Sequence, residues 1–217
     1  MATPIPQNQA AFTLDEVAEA TGGTLRGANR EVEGVCTDSR AIAGTDALFV
    51  ALRGEHFDGH RFLPDMANLA GAALVERGAS APAGFSVVEV DDTTRALGDL
   101  AAFHRERWGG RVVAITGSAG KTSTKELTAA AIRGAGLDVG ATQGNLNNQI
   151  GVPMTLLALD EQEIAVVEMG TSAPGEIRRL GEIAGPDVAV VTLVAAARTE
   201  GLGDLAAVRR EKLSLFD

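Results

Sequence analysis

The second half of the chain alternates apolar runs with segments of helical periodicity. Strands are expected at three apolar runs and one shorter segment: residues 112–115, 164–167, 188–192 and the region near Val139. Continuous apolar runs are typical of strands buried on both faces of a parallel sheet. Helices are expected to begin near Lys121, Gly151, Pro174 and Leu205. The alternation predicts right-handed β-α-β crossovers and a doubly wound parallel sheet of four strands.

The first half of the chain has shorter elements of mixed type. Residues 1–11 are polar and rich in Pro, Gln and Asn, so we expect a loose tail. Residues 13–16 have the pattern of a capping box, and the helix that they start is expected to end at Gly22 and Gly23. Further elements are expected as strands at residues 32–36, 47–52, 72–75 and 86–90 and a helix at residues 61–70.

The segment Asp-Asp-Thr-Thr at residues 91–94 is expected to mark a domain boundary and to cap a helix that runs to about Trp108. The predicted fold class is therefore α/β, with a small mixed α/β domain over residues 1–90 and a doubly wound parallel-sheet domain over residues 91–217. Four strands leave apolar sheet edges that need cover, and the chain stops directly after its last expected helix. We therefore expect the second domain to be incomplete and the chain to be a fragment.

Composition and charge narrow the function classes. The formal net charge of −10 disfavours nucleic acids and anionic membranes as partners, although a small anion can still bind at a local cluster of amides and cations. Cys36 is the single cysteine, so an internal disulfide is impossible and a reducing cytoplasm is the expected compartment. No apolar stretch approaches the roughly 20 residues that a membrane helix needs. We expect a cytoplasmic monomer.

The segment between the first buried strand and the next helix, residues 117–122 with the sequence Gly-Ser-Ala-Gly-Lys-Thr, has the pattern of a phosphate-binding loop, and we call it the P-loop. Its glycines let backbone amides turn toward phosphate oxygens at the positive end of a helix dipole. The full Walker pattern has a glycine where Ile115 stands, so this is a shortened variant. The expected ATP contacts are Gly117, Ser118, Ala119, Gly120, Lys121, Thr122, Ser123 and, further along the chain, Asn147. The alternative is an ordinary strand-to-helix turn with a surface lysine.

Residues 115–123 resemble the shortened loop of the Mur ligases of peptidoglycan synthesis. Within that family, Gly144–Pro153 is similar to a segment of the ligase that adds D-alanyl-D-alanine to UDP-N-acetylmuramoyl-tripeptide. The match continues in order at residues 168–170, 175–177 and 200–203. In the first domain, the segments that resemble the family's UDP-sugar-binding domain are residues 37–40, 48–54 and 57–62.

The resemblance implies an ATP-dependent amide ligase with three domains, of which this chain holds the first and part of the second. Its substrates would be a UDP-muramoyl-peptide and D-alanyl-D-alanine. The carboxylate of the UDP-linked peptide would attack the γ-phosphate of ATP to give an acyl phosphate and ADP. The incoming amine would then attack the acyl carbon through a tetrahedral intermediate, and phosphate would leave as the amide forms. Because charge accumulates on phosphate oxygens, cations are expected to carry most of the catalysis.

The same resemblance assigns catalytic and metal roles. Lys121 would stabilise the transferring phosphoryl group, and Thr122 and Glu168 would hold Mg²⁺. Lys212 lies where the family has a carbamylated lysine, and a carbamate there would ligate a second Mg²⁺. From the residues alone, Glu168 could instead be a solvated acid at a strand end, and Lys212 could lie on the solvated face of a charged helix.

Ser39 and Arg40 are candidates for contact with the uridine or pyrophosphate of the substrate, since arginine suits bidentate phosphate recognition. Asp58 and His60 are expected to shape the loop nearby. The side chains of Asn145, Asn147 and Asn148 are able either to contact nucleotide or substrate or to form a turn before the helix near Gly151. Both interpretations of the asparagines stay open at this point.

One residue departs from the family pattern. Arg198 stands where the family has a histidine that helps to bind the second metal, and arginine cannot ligate Mg²⁺.

Two other functions are therefore possible. A sister Mur ligase that adds a diamino acid is disfavoured by the Asn-Leu-Asn-Asn segment at residues 145–148. A non-catalytic module that binds nucleotide or UDP-sugar is favoured by Arg198 and by the end of the chain at Asp217.

Overall fold

The computed structural model describes residues 3–42, 44–55, 57–195 and 202–217. The chain divides into two units, one comprising residues 6–103 and the other comprising residues 104–217 with the N-terminal segment up to residue 5. The predicted domain division at residues 90 and 91 stays a prediction. No described helix is both long and apolar enough to span a bilayer.

The unit of residues 6–103 is a mixed α/β structure, as the sequence predicts. Its elements are β1 (Ala11–Thr13), α1 (Leu14–Thr21), β2 (Thr24–Arg26), β3 (Glu31–Glu33), β4 (Val35–Cys36), β5 (Leu48–Val50), β6 (Arg53–Gly54), β7 (Phe57–Asp58), a 3₁₀ turn (Gly59–Phe62), α2 (Leu63–Met66), β8 (Ala72–Glu76), β9 (Val87–Val90) and the first part of α3 (Thr93–Trp108). The main sheet has the order β2-β9-β8-β5-β4, with only the β2–β9 pair antiparallel. Phe49, Leu63 and Met66 lie in its core.

The start of α1 confirms the predicted capping box. The Thr13 hydroxyl accepts the Glu16 amide at 3.2 Å, and the Glu16 carboxylate accepts the Thr13 amide at 2.8 Å. Gly22, with φ of 62°, ends the helix in the left-handed conformation that glycine adopts without strain. The helix predicted at residues 61–70 is shorter, because a 3₁₀ turn occupies its start and α2 ends at Met66.

The prediction of a loose tail over residues 1–11 is wrong for its last part. Strand β1 pairs antiparallel with β3, and Ala10 before it is buried. The Asn8 side chain donates to the Val35 carbonyl at 2.8 Å and accepts the Val35 amide at 2.9 Å, so it pairs with the backbone as a neighbouring strand would. Polar composition suggested disorder, whereas an asparagine can satisfy a buried strand edge.

The second unit holds a parallel sheet with the four strands that the sequence predicts. Its elements are β10 (Arg111–Thr116), α4 (Lys121–Gly134), β11 (Val139–Ala141), α5 (Gly151–Leu157), β12 (Ile164–Glu168), α6 (Glu176–Ala184), β13 (Val188–Val191), α7 (Leu205–Leu213) and a 3₁₀ turn (Ser214–Phe216). The strand order is β11-β12-β10-β13, and every neighbouring pair is parallel. The fold-class prediction is confirmed.

The order of the strands places a crevice at one end of the sheet. The connection from β10 crosses β12 to reach β11, whereas the connection from β12 crosses β10 to reach β13. The chain therefore leaves β10 and β12 in opposite directions. Open parallel sheets bind ligands at such a point, outside the carboxyl ends of the strands. The P-loop follows β10 at this end, and Glu168 is the last residue of β12.

Candidate nucleotide-binding site

The P-loop has a backbone that requires glycine at its two ends. Gly117 has φ of 148° and Gly120 has φ of 81°, both in the region that side-chain-bearing residues rarely adopt. A Cβ atom on Gly117 would also collide with the Thr192 hydroxyl oxygen. Backbone geometry thus explains the two glycines of the loop before any ligand is considered.

The residues that follow β13 hold the P-loop in place through hydrogen bonds. The Thr192 hydroxyl lies 2.6 Å from the Ala119 carbonyl and 3.2 Å from the Thr116 carbonyl, so it bridges the two arms of the loop. The Ser118 amide donates to the Leu193 carbonyl at 2.7 Å, and the Ser118 hydroxyl pairs with the backbone of Ala195. The Ser118 amide therefore points at the protein. Its expected contact with phosphate stays a prediction.

Four other amides of the loop are available to a ligand. Among the described residues, no protein group accepts a hydrogen bond from the amides of Ala119, Gly120, Lys121 and Thr122. They lie at the N-terminus of α4, where the helix dipole adds partial positive charge. The Lys121 ammonium folds back to donate to the Gly117 carbonyl at 3.0 Å, so it stays at the loop. This arrangement can hold an anion with the chemistry of a phosphate.

Glu168 is not a solvated strand-end acid. Only 2% of its surface is exposed, and its two carboxylate oxygens have different partners. Oε2 accepts the Thr122 hydroxyl at 2.8 Å, and Oε1 accepts the Asn147 side-chain amide at 2.8 Å. The Glu168 amide donates to the Thr142 hydroxyl at 2.9 Å. A carboxylate and a hydroxyl therefore meet beside the P-loop.

The structure separates the roles of the three asparagines. Asn147 contacts Glu168, and its backbone carbonyl accepts the Gly170 amide at 2.7 Å. Asn148 instead forms the turn, because its side-chain oxygen accepts the amides of Ile150 and Gly151 at the start of α5. The Asn145 amide donates to the Thr3 hydroxyl, and its side chain is exposed.

The solvated-face interpretation of Lys212 is wrong. Lys212 is only 4% exposed, although the Arg-Arg-Glu-Lys run that contains it suggested a charged surface. A small cavity lies beside the P-loop, and its lining is Gly117, Ser118, Lys121, Gly170, Thr171, Leu202 and Lys212. Lys212 therefore faces the same space as Lys121. The segment with Arg198 and Glu200 lies outside the described residues.

Glu211, next to Lys212, fixes α7 against α6. Its carboxylate accepts the Gly175 amide at 2.7 Å and the Ile177 amide at 2.9 Å, so it caps the N-terminus of α6 from another helix. Glu176 caps the preceding turn by accepting the amides of Ser172 and Ala173. These hydrogen bonds to Ser172 and Ala173 lower the pKa of Glu176 against the opposing effect of burial. The helix that carries Lys212 is thus held by charge-assisted hydrogen bonds.

In the unit of residues 6–103, Arg40 pairs with a neighbour. Arg40 donates two side-chain hydrogen bonds to the Asp38 carboxylate, at 2.9 and 2.7 Å, and its amide donates a third. The hydrogen bonds from Arg40 lower the pKa of Asp38 to about 2. The buried Thr37 hydroxyl beside them has no hydrogen-bond partner among the described residues. Ser39 is half-buried between Asp38 and Arg40.

Asp58 and His60 shape a loop, as predicted. Asp58 accepts the His60 amide at 3.0 Å and caps the 3₁₀ turn. The His60 Nδ1 atom lies 2.7 Å from the same carboxylate, and its Nε2 atom accepts the Glu76 amide at 2.9 Å. Both ring nitrogens of His60 therefore serve the fold.

Four structural residues of the second unit have no role in the sequence-based predictions. Thr142, Thr192, Lys125 and Glu211 each hold a backbone group of another element. Their partners are between 17 and 76 residues away along the chain. A local pattern carries no signal for contacts at such separations. Once the fold is known, their burial identifies Lys125, Glu211 and Thr142, and its hydroxyl contacts identify Thr192.

The parallel sheet, the P-loop and the adjacent carboxylate define a nucleotide-binding α/β unit of the P-loop class. Comparison with known families gives two overlapping matches, to the Mur ligase family catalytic domain over residues 31–138 and to the Mur ligase middle domain over residues 115–217. The chain belongs to the Mur ligase family.

Similar proteins carry more specific names. The chain is 44% identical to the UDP-N-acetylmuramoyl-tripeptide--D-alanyl-D-alanine ligase of Escherichia coli K12, over 95% of this chain and 45% of that one. A crystal structure of MurF from Acinetobacter baumannii superposes with a TM-score of 0.86 and 34% identity, over 99% of this chain and 47% of that chain. MurF ligase from Thermotoga maritima in complex with ADP gives a TM-score of 0.76 and 34% identity, over 83% and 42% of the two chains. The chain spans about half the length of these relatives.

The pairing of Arg40 with Asp38 predicts a pKa change. Replacing Arg40 by Gln removes the guanidinium and its two hydrogen bonds to Asp38 but keeps the bond from the backbone amide, so the Asp38 pKa should rise from about 2 toward its ordinary 3.8. Titration of the Asp38 carboxyl carbon by NMR measures this shift. Because the folded-state pKa is lowered, the pair stabilises the fold above pH 3.8 and loses that effect as the pH falls through about 2. A pKa that stays near 2 in the variant would contradict the assignment.

Proposed function

We propose that this chain is the nucleotide- and UDP-substrate-binding part of an ATP-dependent amide ligase of peptidoglycan synthesis. The reaction is the addition of D-alanyl-D-alanine to UDP-N-acetylmuramoyl-tripeptide through an acyl phosphate. The observation that carries the proposal is the P-loop with Glu168, Thr122 and Asn147 joined beside it. The name of the E. coli relative supports the substrate assignment.

ATP would bind with its phosphates at the P-loop. The amides of Ala119 to Thr122, which donate to no described protein group, and the N-terminus of α4 suit the β- and γ-phosphates, which carry the most charge. Lys121 would exchange its contact with the Gly117 carbonyl for the transferring phosphoryl group, where it offsets developing negative charge. The ADP complex of the T. maritima relative supports a nucleotide at this kind of site.

Magnesium fits the oxygens present. Mg²⁺ prefers hard oxygen ligands and is usually held by one or two carboxylates together with substrate phosphates. Glu168 supplies the carboxylate and Thr122 the hydroxyl, 2.8 Å apart. Among the described residues, no three His, Cys, Asp or Glu side chains cluster as a metal site of their own. The ion would therefore bind together with nucleotide and would offset the negative charge of the phosphates.

Lys212 is proposed to carry a carbamate. A buried, uncarbamylated ammonium beside Lys121 adds a second positive charge to the cavity, whereas a carbamate would make that position anionic. Carboxylate-like oxygens there would suit a second Mg²⁺. The Glu211 caps on α6 would hold this side chain at the cavity.

The UDP part of the substrate would bind to the unit of residues 6–103. Arg40 and Ser39 are proposed to contact its pyrophosphate or uridine, with Arg40 leaving Asp38 to do so. The buried Thr37 hydroxyl beside them, which has no hydrogen-bond partner in the described part of the chain, supports a ligand at this position. The protein is expected to act as a monomer on these small molecules in the cytoplasm.

Arg198 supports one alternative. A chain with arginine in place of the family's metal-binding histidine could bind nucleotide and UDP-sugar without catalysing ligation. Phosphate release by a fusion that completes the ligase distinguishes the two functions.

Ligase activity is tested by fusing residues 1–217 to the part of the E. coli relative that lies beyond the matched region. Phosphate release from ATP is expected only when UDP-N-acetylmuramoyl-tripeptide and D-alanyl-D-alanine are both present, because amide formation consumes both. Gly117→Ala in the fusion should abolish the release, since a Cβ at residue 117 meets Thr192. Nucleotide binding without release by the unmodified fusion would favour the non-catalytic module.

The magnesium role of Glu168 is tested by Glu168→Gln, which keeps the shape of the side chain and removes its charge. The affinity for ATP in the presence of Mg²⁺ should fall by about tenfold or more, toward the affinity measured in EDTA. Titration calorimetry gives both values. Glu163→Gln, an exposed site before the opposite end of β12, is the control and should bind as the wild type does. Equal Mg²⁺ dependence in the wild type and Glu168→Gln would refute the assignment.

The carbamate is tested by ¹³C NMR of the chain in ¹³C-bicarbonate. One carbamate carbonyl signal is expected in the wild type, because a neutral amine at a buried position can react with CO₂. The signal should be absent in Lys212→Arg, which keeps a positive charge but cannot form the carbamate. A wild-type spectrum without the signal, or a variant spectrum that retains it, would remove Lys212 from this role.

A further inference from the structure

Lys125 is the most deeply buried charged residue among those described. It lies on α4, one turn after Thr122, and only 1% of its surface is exposed. Lysine is almost never fully buried without partners, because its ammonium loses hydration there. The function proposed above gives Lys125 no part. Its burial therefore needs an explanation of its own.

The Lys125 ammonium has one partner in the interior and one at the surface. It donates to the Thr142 carbonyl at 2.6 Å and contacts the Glu126 carboxylate at 2.8 Å. The Glu126 side chain is 63% exposed, and the hydrogen bond from Lys125 lowers its pKa. The pair with Glu126 is thus screened by solvent, whereas the bond to Thr142 lies inside the protein. Thr142 is the partner that the buried amine can position.

Thr142 in turn holds the backbone of Glu168. Thr142 follows β11 and is 2% exposed. Its hydroxyl accepts the Glu168 amide at 2.9 Å, and its own amide donates to the Val166 carbonyl at 3.1 Å. Through these two bonds, Thr142 extends the pairing of β11 with β12 up to Glu168, whose carboxylate faces the P-loop.

The hydrogen bonds among α4, Thr142 and Glu168 form a closed ring. Helix α4 contributes Thr122 to one oxygen of Glu168 and Lys125 to the carbonyl of Thr142, and Thr142 holds the amide of Glu168. Two points of one helix are thereby tied to the ends of two neighbouring strands. A shift of α4 relative to β12 would change the distance between the Thr122 hydroxyl and the Glu168 carboxylate.

We propose that Lys125 is a positioning residue, which through Thr142 sets the distance between Thr122 and Glu168 and thereby the affinity of the site for magnesium-bound ATP. The inference rests on the proposed magnesium role of Glu168 and Thr122. Lys125 touches neither the ion nor the nucleotide. It acts as outer-sphere partners of metal ligands do, by fixing the orientation of the groups that bind.

The test compares Lys125→Met with the wild type by titration calorimetry of ATP in Mg²⁺ and in EDTA. The methionine keeps the length of the side chain and removes the ammonium. ATP affinity in Mg²⁺ should fall by about tenfold, as for other outer-sphere partners, while affinity in EDTA should stay within about twofold. Glu126→Gln is the matched control. It alters only the exposed partner and should leave both affinities unchanged.

A second variant keeps the test informative if Lys125→Met does not fold. Thr142→Val removes the hydroxyl that accepts the Glu168 amide and keeps the carbonyl, so it should produce the same loss in Mg²⁺ alone. The two substitutions combined should lose little more than either one, because they interrupt one chain of contacts. Fully multiplicative losses would show that the residues act separately and would overturn the proposal.

The remaining outcomes separate this inference from the function beneath it. A wild-type chain that binds ATP equally in Mg²⁺ and EDTA contradicts the magnesium role and the inference with it. A wild type that depends on Mg²⁺, with Lys125→Met unchanged, contradicts the inference alone. An equal loss in Mg²⁺ and in EDTA would also contradict it, because general damage to the fold affects both conditions alike.

Discussion

The parallel pairing of β10 with β12 is the constraint on which the candidate site depends. Ile115 lies opposite Glu168 in this register, so the strand that leads into the P-loop and the strand that ends in the carboxylate stop side by side. The Met169 amide then donates to the Ile115 carbonyl at 2.8 Å, and the Thr116 hydroxyl donates to the Met169 carbonyl at 2.8 Å. A register shift of one residue would turn the Glu168 side chain to the other face of the sheet.

The other side of β10 supplies rigidity to the loop. Strand β13 pairs with β10 up to Thr116, and the residues that follow it bind the P-loop through Thr192 and Leu193. A phosphate-binding loop needs amides that already point at the ligand, because reorientation on binding would cost affinity. The Leu193 carbonyl occupies the Ser118 amide, whereas the amides of Ala119 to Thr122 donate to no described protein group. Strand β12 thus places the Glu168 carboxylate, and the residues that follow β13 fix the P-loop.

Local patterns were sufficient to predict much of this arrangement. Apolar runs identify three of the four parallel strands, and glycine spacing identifies the P-loop, since both signals lie within a few residues. The pairing of β1 with β3 was missed because Ala11 pairs with Glu33 and Thr13 with Glu31, so the partners are about 20 residues apart along the chain. The burial of Lys212 was missed because its neighbours Arg209 and Arg210 are exposed, and a charged run gives no indication of which member turns inward. Residues that act through distant backbone groups have no local signature.

Buried charges surround the candidate site of this acidic chain, for which a polyphosphate ligand is proposed. With a net charge of −10, the long-range field opposes ATP, so attraction must come from groups at contact distance. Glu168, Glu211, Lys125 and Lys212 are each at most 7% exposed, and all four lie on or beside the elements that carry the site. Buried charges contribute little net stability, because desolvation offsets their attraction. The hydrogen bonds of Lys125 and Glu211 to backbone groups, and those of Glu168 to Thr122 and Asn147, instead hold the elements around the site in one arrangement. A fixed geometry, rather than stability, accounts for the burial of these three charged residues.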